Sequence, residues 1–143
     1  MRIALDEAKE ALQRGEVPVG AVITTDTGAI LARARNRTLE LNDPTAHAEL
    51  LAIREAAAKQ ANQRLGDCDI YVSLEPCAMC AAAISFARLR RLYFGALDVK
   101  MGAVDNGPRF FRQPTCHHRP EVYGGIAEAH SAALLKSFFT ARR

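Results

Sequence analysis

The sequence predicts an α/β sandwich, in which helices cover the faces of a central sheet. Two observations indicate this fold. Segments with a helical repeat alternate along the chain with short apolar segments rich in β-branched residues. The 143 residues, of which 49% are hydrophobic, suffice for the core of one compact domain and are few for two. We therefore expect a single domain spanning residues 1–143.

The first predicted elements are a helix and a β-hairpin. Apolar residues near a 3.6-residue spacing predict a helix over residues 2–14, which ends at Gly15. Strands are predicted over residues 17–24 and 29–34, where apolar and β-branched residues dominate. Residues 26–28 between them form a turn, so the two strands are expected to pair.

A second helix follows a polar loop. Residues 45–59 are rich in Ala, Leu and Glu, which favour helix formation. Either Asp43 or Thr45 is suited to the N-cap position, and Pro44 fits the first turn. We therefore expect this helix to begin at about Thr45.

The second half of the chain contains two more strands and two more helices. Strands are predicted over residues 70–74 and 91–95, with a helix over residues 77–87 between them. From residue 97 to about 125 the periodicity fades, and long stretches of this kind are usually functional or mobile. An amphipathic helix over residues 126–139 follows, so the expected order is α-β-β-α-β-α-β-loop-α.

The bulk properties argue against a membrane protein and favour the cytoplasm. No segment approaches the ~20 apolar residues that a membrane-spanning helix needs. The first ten residues include three acidic ones, whereas a signal peptide would have an unbroken apolar stretch. A net charge of +3 and a pI of about 8.8 are weak evidence for a nucleic-acid partner.

Two short motifs carry the chemical information. His47-Ala48-Glu49 and the pair Cys77 and Cys80 each lie at a predicted helix start, and the i, i+3 spacing puts both sulfurs on one side of their helix. Two helix N-termini can therefore converge on one point, where their dipoles favour thiolates. One His and two Cys give Zn²⁺ three protein ligands, and catalytic zinc sites keep the fourth position for water.

Glu49 lies two residues after His47, close enough to reach that water without being a ligand. Bound zinc lowers the pKa of its water to ~7 in well-studied sites, which yields zinc-bound hydroxide. The carboxylate of Glu49 can take the water's proton and deliver it to a ring nitrogen and then to the leaving amine. Together these residues predict hydrolytic deamination.

Each part of the pattern also has a plainer interpretation. A single His at a helix start is usually a cap or a surface residue, and a C-x-x-C pair alone suits redox chemistry or half of a structural zinc site. A structural-zinc RNA-binding module, with Cys68 or Cys116 as the fourth ligand, is therefore an alternative that is not an enzyme. Cys116-His117-His118 resembles a second metal site, although we favour a loop there.

The H-A-E and P-C-x-x-C motifs are typical of the cytidine/deoxycytidylate deaminase superfamily. Further segments make nearly the whole chain similar to the bacterial tRNA-specific (wobble) adenosine deaminases of that superfamily. These segments are residues 16–22, 36–37, 43–49, 74–80 and 94–96. The resemblance implies a three-layer α/β/α cytidine-deaminase-like sandwich, with a central mixed sheet flanked by helices.

The resemblance also implies an activity, which is conversion of adenosine to inosine at the wobble position of the anticodon loop of an arginine tRNA. It implies a homodimer with RNA across the subunit boundary, and one Zn²⁺ per subunit. The implied zinc ligands are His47, Cys77 and Cys80, with Glu49 as proton shuttle. The implied substrate-binding residues are Asn36, Asp98, Phe138, Phe139 and Arg142. Residues 103–113 differ from the family and are given no role.

Arginine-rich segments are compatible with an RNA partner, because guanidinium groups suit phosphates and base stacking. Basic residues cluster in segments 33–37, 88–91, 109–119 and 142–143. Phe110 and Phe111 lie among them, either as a stacking surface for single-stranded RNA or as core aromatics beside a solvated face. A rival function is a small-molecule deaminase acting on guanine or a free nucleoside, since such enzymes use the same motifs.

Overall fold

The computed structural model describes residues 1–142, which form four α-helices, five β-strands and one short 3-10 helix. The helices are α1 (Arg2–Gln13), α2 (Ala48–Gln60), α3 (Ala78–Phe86) and α4 (Glu128–Thr140). The strands are β1 (Gly20–Thr24), β2 (Ile30–Arg35), β3 (Asp69–Leu74), β4 (Arg91–Ala96) and β5 (Glu121–Tyr123), and the 3-10 helix is Phe110–Arg112. Within this described part of the chain, no helix is long and apolar enough to cross a membrane.

The five strands form one mixed sheet in the order β2-β1-β3-β4-β5. β1 runs antiparallel to β2 and β3, while β4 runs parallel to β3 and β5. Parallel neighbours end at the same edge of a sheet, so the carboxyl ends of β3 and β4 lie side by side. The loops that follow these two strands, beginning at Glu75 and Leu97, are therefore neighbours.

Helices cover both faces of the sheet. Ile23, Ile70 and Leu92 belong to a core cluster that also contains buried apolar residues of α2 and α3, such as Ala52 and Ile84. On the other face, α1 packs on β1 and β2, and α4 packs on β4. A Cβ atom on Gly20 would lie 1.9 Å from the carbonyl oxygen of Ala4, so only glycine allows α1 to approach so closely. The predicted three-layer α/β/α sandwich with a mixed sheet is confirmed.

The predicted hairpin and all four predicted helices are present, with shifted boundaries. The start of α2 differs most in its chemistry, because it begins at Ala48 with His47 at the N-cap position. Asp43 does not cap this helix, since its Oδ1 accepts hydrogen bonds from the backbone N–H and the hydroxyl of Thr45 in a preceding turn. The expectation that Asp43 or Thr45 caps α2 was wrong, and Pro44 lies outside the helix.

The region after residue 97 contains two elements that the sequence did not predict, β5 and the 3-10 helix. All three residues of β5 are exposed, so the strand has no alternating pattern to detect. β5 exists because it pairs with β4. A row of stacked tyrosines supports this pairing: the ring centroids of Tyr71 and Tyr93 are 4.6 Å apart, and those of Tyr93 and Tyr123 are 5.1 Å apart. The predicted order was therefore one strand short.

Candidate active site

The N-termini of α2 and α3 meet beside the carboxyl end of β3. His47 is the N-cap residue of α2 and Cys77 that of α3, and neither side chain caps its own helix. Both side chains can therefore turn towards each other. The Nδ1 atom of His47 lies 3.6 Å from the Sγ of Cys77 and 3.5 Å from the Sγ of Cys80.

These three side chains have the spacing of zinc ligands. Their ligand atoms all lie within 4.8 Å of one another. At a tetrahedral centre, Zn–S bonds of ~2.3 Å and Zn–N bonds of ~2.0–2.1 Å place sulfur and nitrogen about 3.6 Å apart. The two sulfur–nitrogen distances agree with that value, so the residues present fit one Zn²⁺ ion.

The alternative of a closed structural site needs Cys68 or Cys116 as a fourth ligand. Within residues 1–142, neither belongs to the metal-binding group. The Sγ of Cys116 instead donates to the carbonyl oxygen of His118 and contacts the Oγ of Ser85. With three donors among the described residues, this group would leave one position of a tetrahedral Zn²⁺ ion for water, as catalytic zinc sites do.

The thiols and the imidazole interact strongly. A hydrogen bond with Cys80, and a weaker one with His47, lower the pKa of Cys77 to about 4 against the opposing effect of burial. The contact with Cys77, followed by burial and the nearby Glu49, raises the pKa of Cys80. The hydrogen bond with Cys77 also raises the pKa of His47. A divalent cation among these groups would favour both thiolates and a neutral imidazole, which makes the donor set suitable for zinc.

Glu49 lies in the first turn of α2 and is only 3% exposed. Burial raises the pKa of its carboxyl group, and a hydrogen bond with Cys80 opposes part of that rise. Glu49 lines the same cavity as His47 and Cys77. A raised pKa makes this carboxyl group a better proton acceptor than an ordinary glutamate, which suits general acid–base catalysis.

A cavity of about 480 Å³ opens in front of these groups, a size typical of ligand sites. Asn36, after β2, and Asp98, after β4, also line it. Asn36 is buried, and its amide nitrogen donates to Glu16 at 3.4 Å. The Oδ1 of Asp98 accepts hydrogen bonds from the backbone N–H groups of Lys100 and Met101. Both side chains are therefore held in defined positions at the cavity.

The C-terminal candidates divide into two kinds. Phe139 is 52% exposed and lines the cavity. Phe138 is 6% exposed and lies beneath Arg142, whose guanidinium carbon is 3.5 Å from the ring centroid. Arg142 also donates to the carbonyl oxygens of Phe138 and Gly15, which ties the end of α4 to the loop after α1. Arg143 lies outside the described residues.

Several of the basic residues are paired with carboxylates, which reduces the positive surface. The pairs are Arg33 with Glu7, Arg37 with Glu40, Arg90 with Asp69, and Arg91 with Glu121. Phe111 is buried in the core cluster, and Phe110 packs against that cluster. The core interpretation is therefore confirmed for Phe111, whereas Phe110 is only partly buried and lines a second cavity together with Arg88 and His118.

Two buried glutamates beside the cavity were missed by the sequence reasoning. Glu16 accepts hydrogen bonds from the loop after β2, and Glu75 accepts them from the loop after β4. A signal was available, because each lies in an apolar, proline-containing segment, where a charged residue is unusual without a partner.

This fold and this set of side chains define a zinc-dependent deaminase. The family model for the cytidine and deoxycytidylate deaminase zinc-binding region matches residues 1–96, which include the His-Cys-Cys group and Glu49. The cofactor of the protein is one Zn²⁺ ion.

Within that class, the chain belongs to the tRNA-specific adenosine deaminase family. It is 59% identical over 143 residues to the tRNA-specific adenosine deaminase of Agrobacterium fabrum, covering 100% of this chain and 93% of the relative. A solved structure from studies of A-to-I editing by tRNA:A34 deaminases has a TM-score of 0.92 at 60% identity, covering 94% of this chain and 97% of that chain. The guanine deaminase of Bacillus subtilis is 33% identical with a TM-score of 0.66, covering 99% of this chain and 90% of that chain.

Proposed function

We propose that this protein converts adenosine to inosine at the wobble position of the anticodon loop of a tRNA, with arginine tRNA as the substrate species. The observation that carries the proposal is the convergence of His47, Cys77 and Cys80 beside the buried Glu49, in front of one cavity. Identity of 59% to a tRNA-specific adenosine deaminase supports the substrate class.

The chemistry assigns a separate task to each group. His47, Cys77 and Cys80 would hold the Zn²⁺ ion, which supplies a Lewis acid that lowers the pKa of water at the site. Glu49 takes one proton from the water whose oxygen adds to C6 of adenine, and delivers it to N1. Glu49 then carries the remaining hydroxyl proton to the amino group, which leaves as ammonia. One water is consumed and one ammonia is released, and the oxygen of the water becomes the 6-oxo group of inosine.

Other residues of the cavity would position the nucleotides. The buried amide of Asn36 is suited to hydrogen-bond the target nucleoside, and Asp98 is suited to a neighbouring nucleotide. The exposed ring of Phe139 can stack on an unpaired base. Phe138 and Arg142 would contribute by fixing the end of α4 that carries this ring. An anticodon loop presents unpaired bases, so extruding one into the cavity costs little.

The proposal includes a homodimer in the cytoplasm, with the anticodon loop across the subunit boundary. Large apolar side chains that remain exposed, such as Phe86 at the end of α3, support a further contact surface. Sedimentation equilibrium tests the dimer, and a monomer at micromolar protein concentration would contradict it.

Mass spectrometry of an arginine-tRNA anticodon stem-loop, incubated with the zinc-loaded protein, tests the proposed reaction. We expect a gain of about one dalton, confined to the wobble adenosine, as the amino group becomes an oxo group. A stem-loop with guanosine at that position is the matched control and should not change. Free guanine and cytidine are tested in parallel, because a guanine deaminase is also similar to this chain. Deamination of guanine with untouched RNA would overturn the tRNA substrate.

A further inference from the structure

Glu75 is a buried charge that the proposed chemistry does not use. It follows the end of β3 and is 2% exposed. A carboxylate removed from water is costly unless hydrogen bonds replace its solvation. Its own backbone N–H donates to the carbonyl oxygen of Ala96, the last residue of β4, at 2.8 Å. Glu75 therefore lies where the loops after β3 and β4 meet.

Five N–H groups surround the carboxylate of Glu75. The backbone N–H groups of Val104, Asp105 and Asn106 donate to its Oε2 at 3.0, 2.9 and 3.0 Å. Consecutive N–H groups of this kind form a nest for an anion. The Oε1 accepts from the backbone N–H of Asp98 at 3.0 Å and from the side-chain amide of Asn106 at 2.7 Å. A neutral side chain cannot satisfy five donors, so the site requires an anion.

All five donors belong to residues 98–106, which we name the wall segment because residues 98–101 line the cavity. The wall segment closes tightly on Glu75 at Gly102. A Cβ atom there would lie 2.5 Å from the carboxyl carbon of Glu75 and 2.4 Å from the carbonyl oxygen of Asp98. Glycine at this position therefore permits the close approach.

The wall segment is also hydrogen-bonded to residues 76–77, which include the candidate zinc ligand Cys77. Gly102 forms an antiparallel β-bridge with Cys77. The backbone N–H of Ala103 donates to the carbonyl oxygen of Pro76 at 2.9 Å. Three consecutive residues, 75–77, thus hold the wall segment and present a candidate zinc ligand.

We propose that Glu75 is a positioning residue, whose carboxylate fixes the wall segment relative to Cys77 and thereby shapes the side of the cavity that receives the nucleotide next to the target. This inference rests on the proposed function and deepens it. Glu75 acts through the wall segment and does not touch the substrate. Its loss should therefore change substrate binding more than the chemical step.

The Glu75→Gln variant tests this proposal, because it keeps the shape of the side chain and makes one of its two ends a donor. In either orientation, the new NH₂ group faces at least two N–H donors. We expect hydrogen–deuterium exchange of the wall-segment amides to accelerate ~10-fold or more. KM for the anticodon stem-loop should rise ~10-fold while kcat falls less than ~3-fold, with one zinc per chain retained.

Glu16→Gln is the matched control. Glu16 is also 2% exposed and accepts backbone N–H groups, but from Leu39 and Glu40. The Glu16→Gln variant should accelerate hydrogen–deuterium exchange in the loop after β2 and leave exchange in the wall segment unchanged. Wall-segment exchange that is unaltered in Glu75→Gln, or equally altered in both variants, would overturn the proposal. Loss of zinc from Glu75→Gln would overturn it as well, because Glu75 would then act on the metal site.

A second variant, Asn106→Ala, covers the case in which Glu75→Gln does not fold. It removes only the side-chain amide that donates to the Oε1 of Glu75, at a partly exposed position. We expect the same pattern with changes of ~3-fold, since four of the five donors remain. Wild-type exchange and wild-type KM in this variant would contradict the positioning role.

The exchange measurements need no substrate, so failure of the two proposals can be distinguished. Wild-type protein that leaves the stem-loop untouched would overturn the proposed function. The exchange comparison between Glu75→Gln and Glu16→Gln would still decide whether Glu75 holds the wall segment.

Discussion

Glu49 and Glu75 are two buried glutamates at one cavity, and their surroundings shift their pKa values in opposite directions. Burial raises the pKa of Glu49, and the hydrogen bond with Cys80 offsets only part of the effect. Burial acts on Glu75 in the same direction, but the N–H groups of Asp98 and Asn106 and their neighbours outweigh it and lower its pKa. The hydrogen-bond donors around a buried carboxyl group, together with its burial, therefore set the direction in which its pKa shifts.

This difference in surroundings suits the two glutamates to different roles, one in proton transfer and the other in holding a loop in place. Glu49 lies in the first turn of α2, close to the thiol of Cys80, with few hydrogen-bond donors around it, so its carboxyl group is suited to exchange a proton. Glu75 is enclosed by a loop that folds around it, and the N–H groups of that loop hold its pKa below the ordinary value, which favours the anion. The same residue type thus serves as a proton carrier at one place and as a structural anchor at the other.

The largest expected effect is on catalysis in Glu49→Gln. Loss of the proton carrier should reduce the single-turnover deamination rate by roughly 10³-fold. Zinc content, measured by atomic emission, should stay at one per chain, because Glu49 is beside the ligands and not among them. Full turnover by this variant would show that Glu49 is not the proton carrier, and the proposed functional difference between Glu49 and Glu75 would then fail.

Removal of the cation comes next. Cys80→Ser should lose zinc, and its free energy of unfolding should fall by about 4 kcal/mol if zinc is present at ~1,000 times its Kd. Urea unfolding with and without added zinc measures this difference. The control is Cys116→Ser, which alters a buried cysteine outside the group and should stay zinc-loaded. Zinc loss from the control would revive the structural-zinc alternative.

Stability distinguishes the two glutamates directly. Glu75→Gln should lower the free energy of unfolding by about 1–3 kcal/mol, because several buried N–H groups lose their acceptor. Glu49→Gln should change it by less than ~1 kcal/mol, since a neutral amide is easier to bury than a carboxylate. Urea unfolding of both variants in the zinc-loaded form provides the test. Equal destabilisation would show that the two environments do not differ as described.

The smallest effect is expected at the C-terminal end of α4, away from both carboxylates. Arg142→Ala removes the cation–π contact with Phe138 and the hydrogen bond to Gly15. We expect a loss of about 0.5–1 kcal/mol in the free energy of unfolding. KM for the stem-loop should rise by less than ~3-fold, as Phe139 becomes less well positioned. A larger rise in KM than in Glu75→Gln would show that α4 contributes more to substrate binding than the wall segment does.

The elements predicted correctly from the sequence are those whose information is local. The apolar spacing of α1 and the turn between β1 and β2 each lie within a short stretch of chain. The start of α2 was misplaced because Asp43 and Thr45 are good caps in isolation, yet their side chains bond each other in a preceding turn. β5 was missed because its exposed residues have no pattern until β4 pairs with them.

By itself, the sequence determined the alternation of helices and strands and the candidate ligand set, because the spacing of Cys77 and Cys80 on one helix is a property of the local chain. Only the tertiary structure decided that Phe111 enters the core and that Arg91 is neutralised by Glu121. It also decided which N–H groups surround the carboxyl group of Glu75, because these donors lie 23 to 31 residues further along the chain. The burial and the hydrogen-bond partners of a side chain depend on contacts between segments that are far apart in the sequence, and local sequence patterns do not encode those contacts.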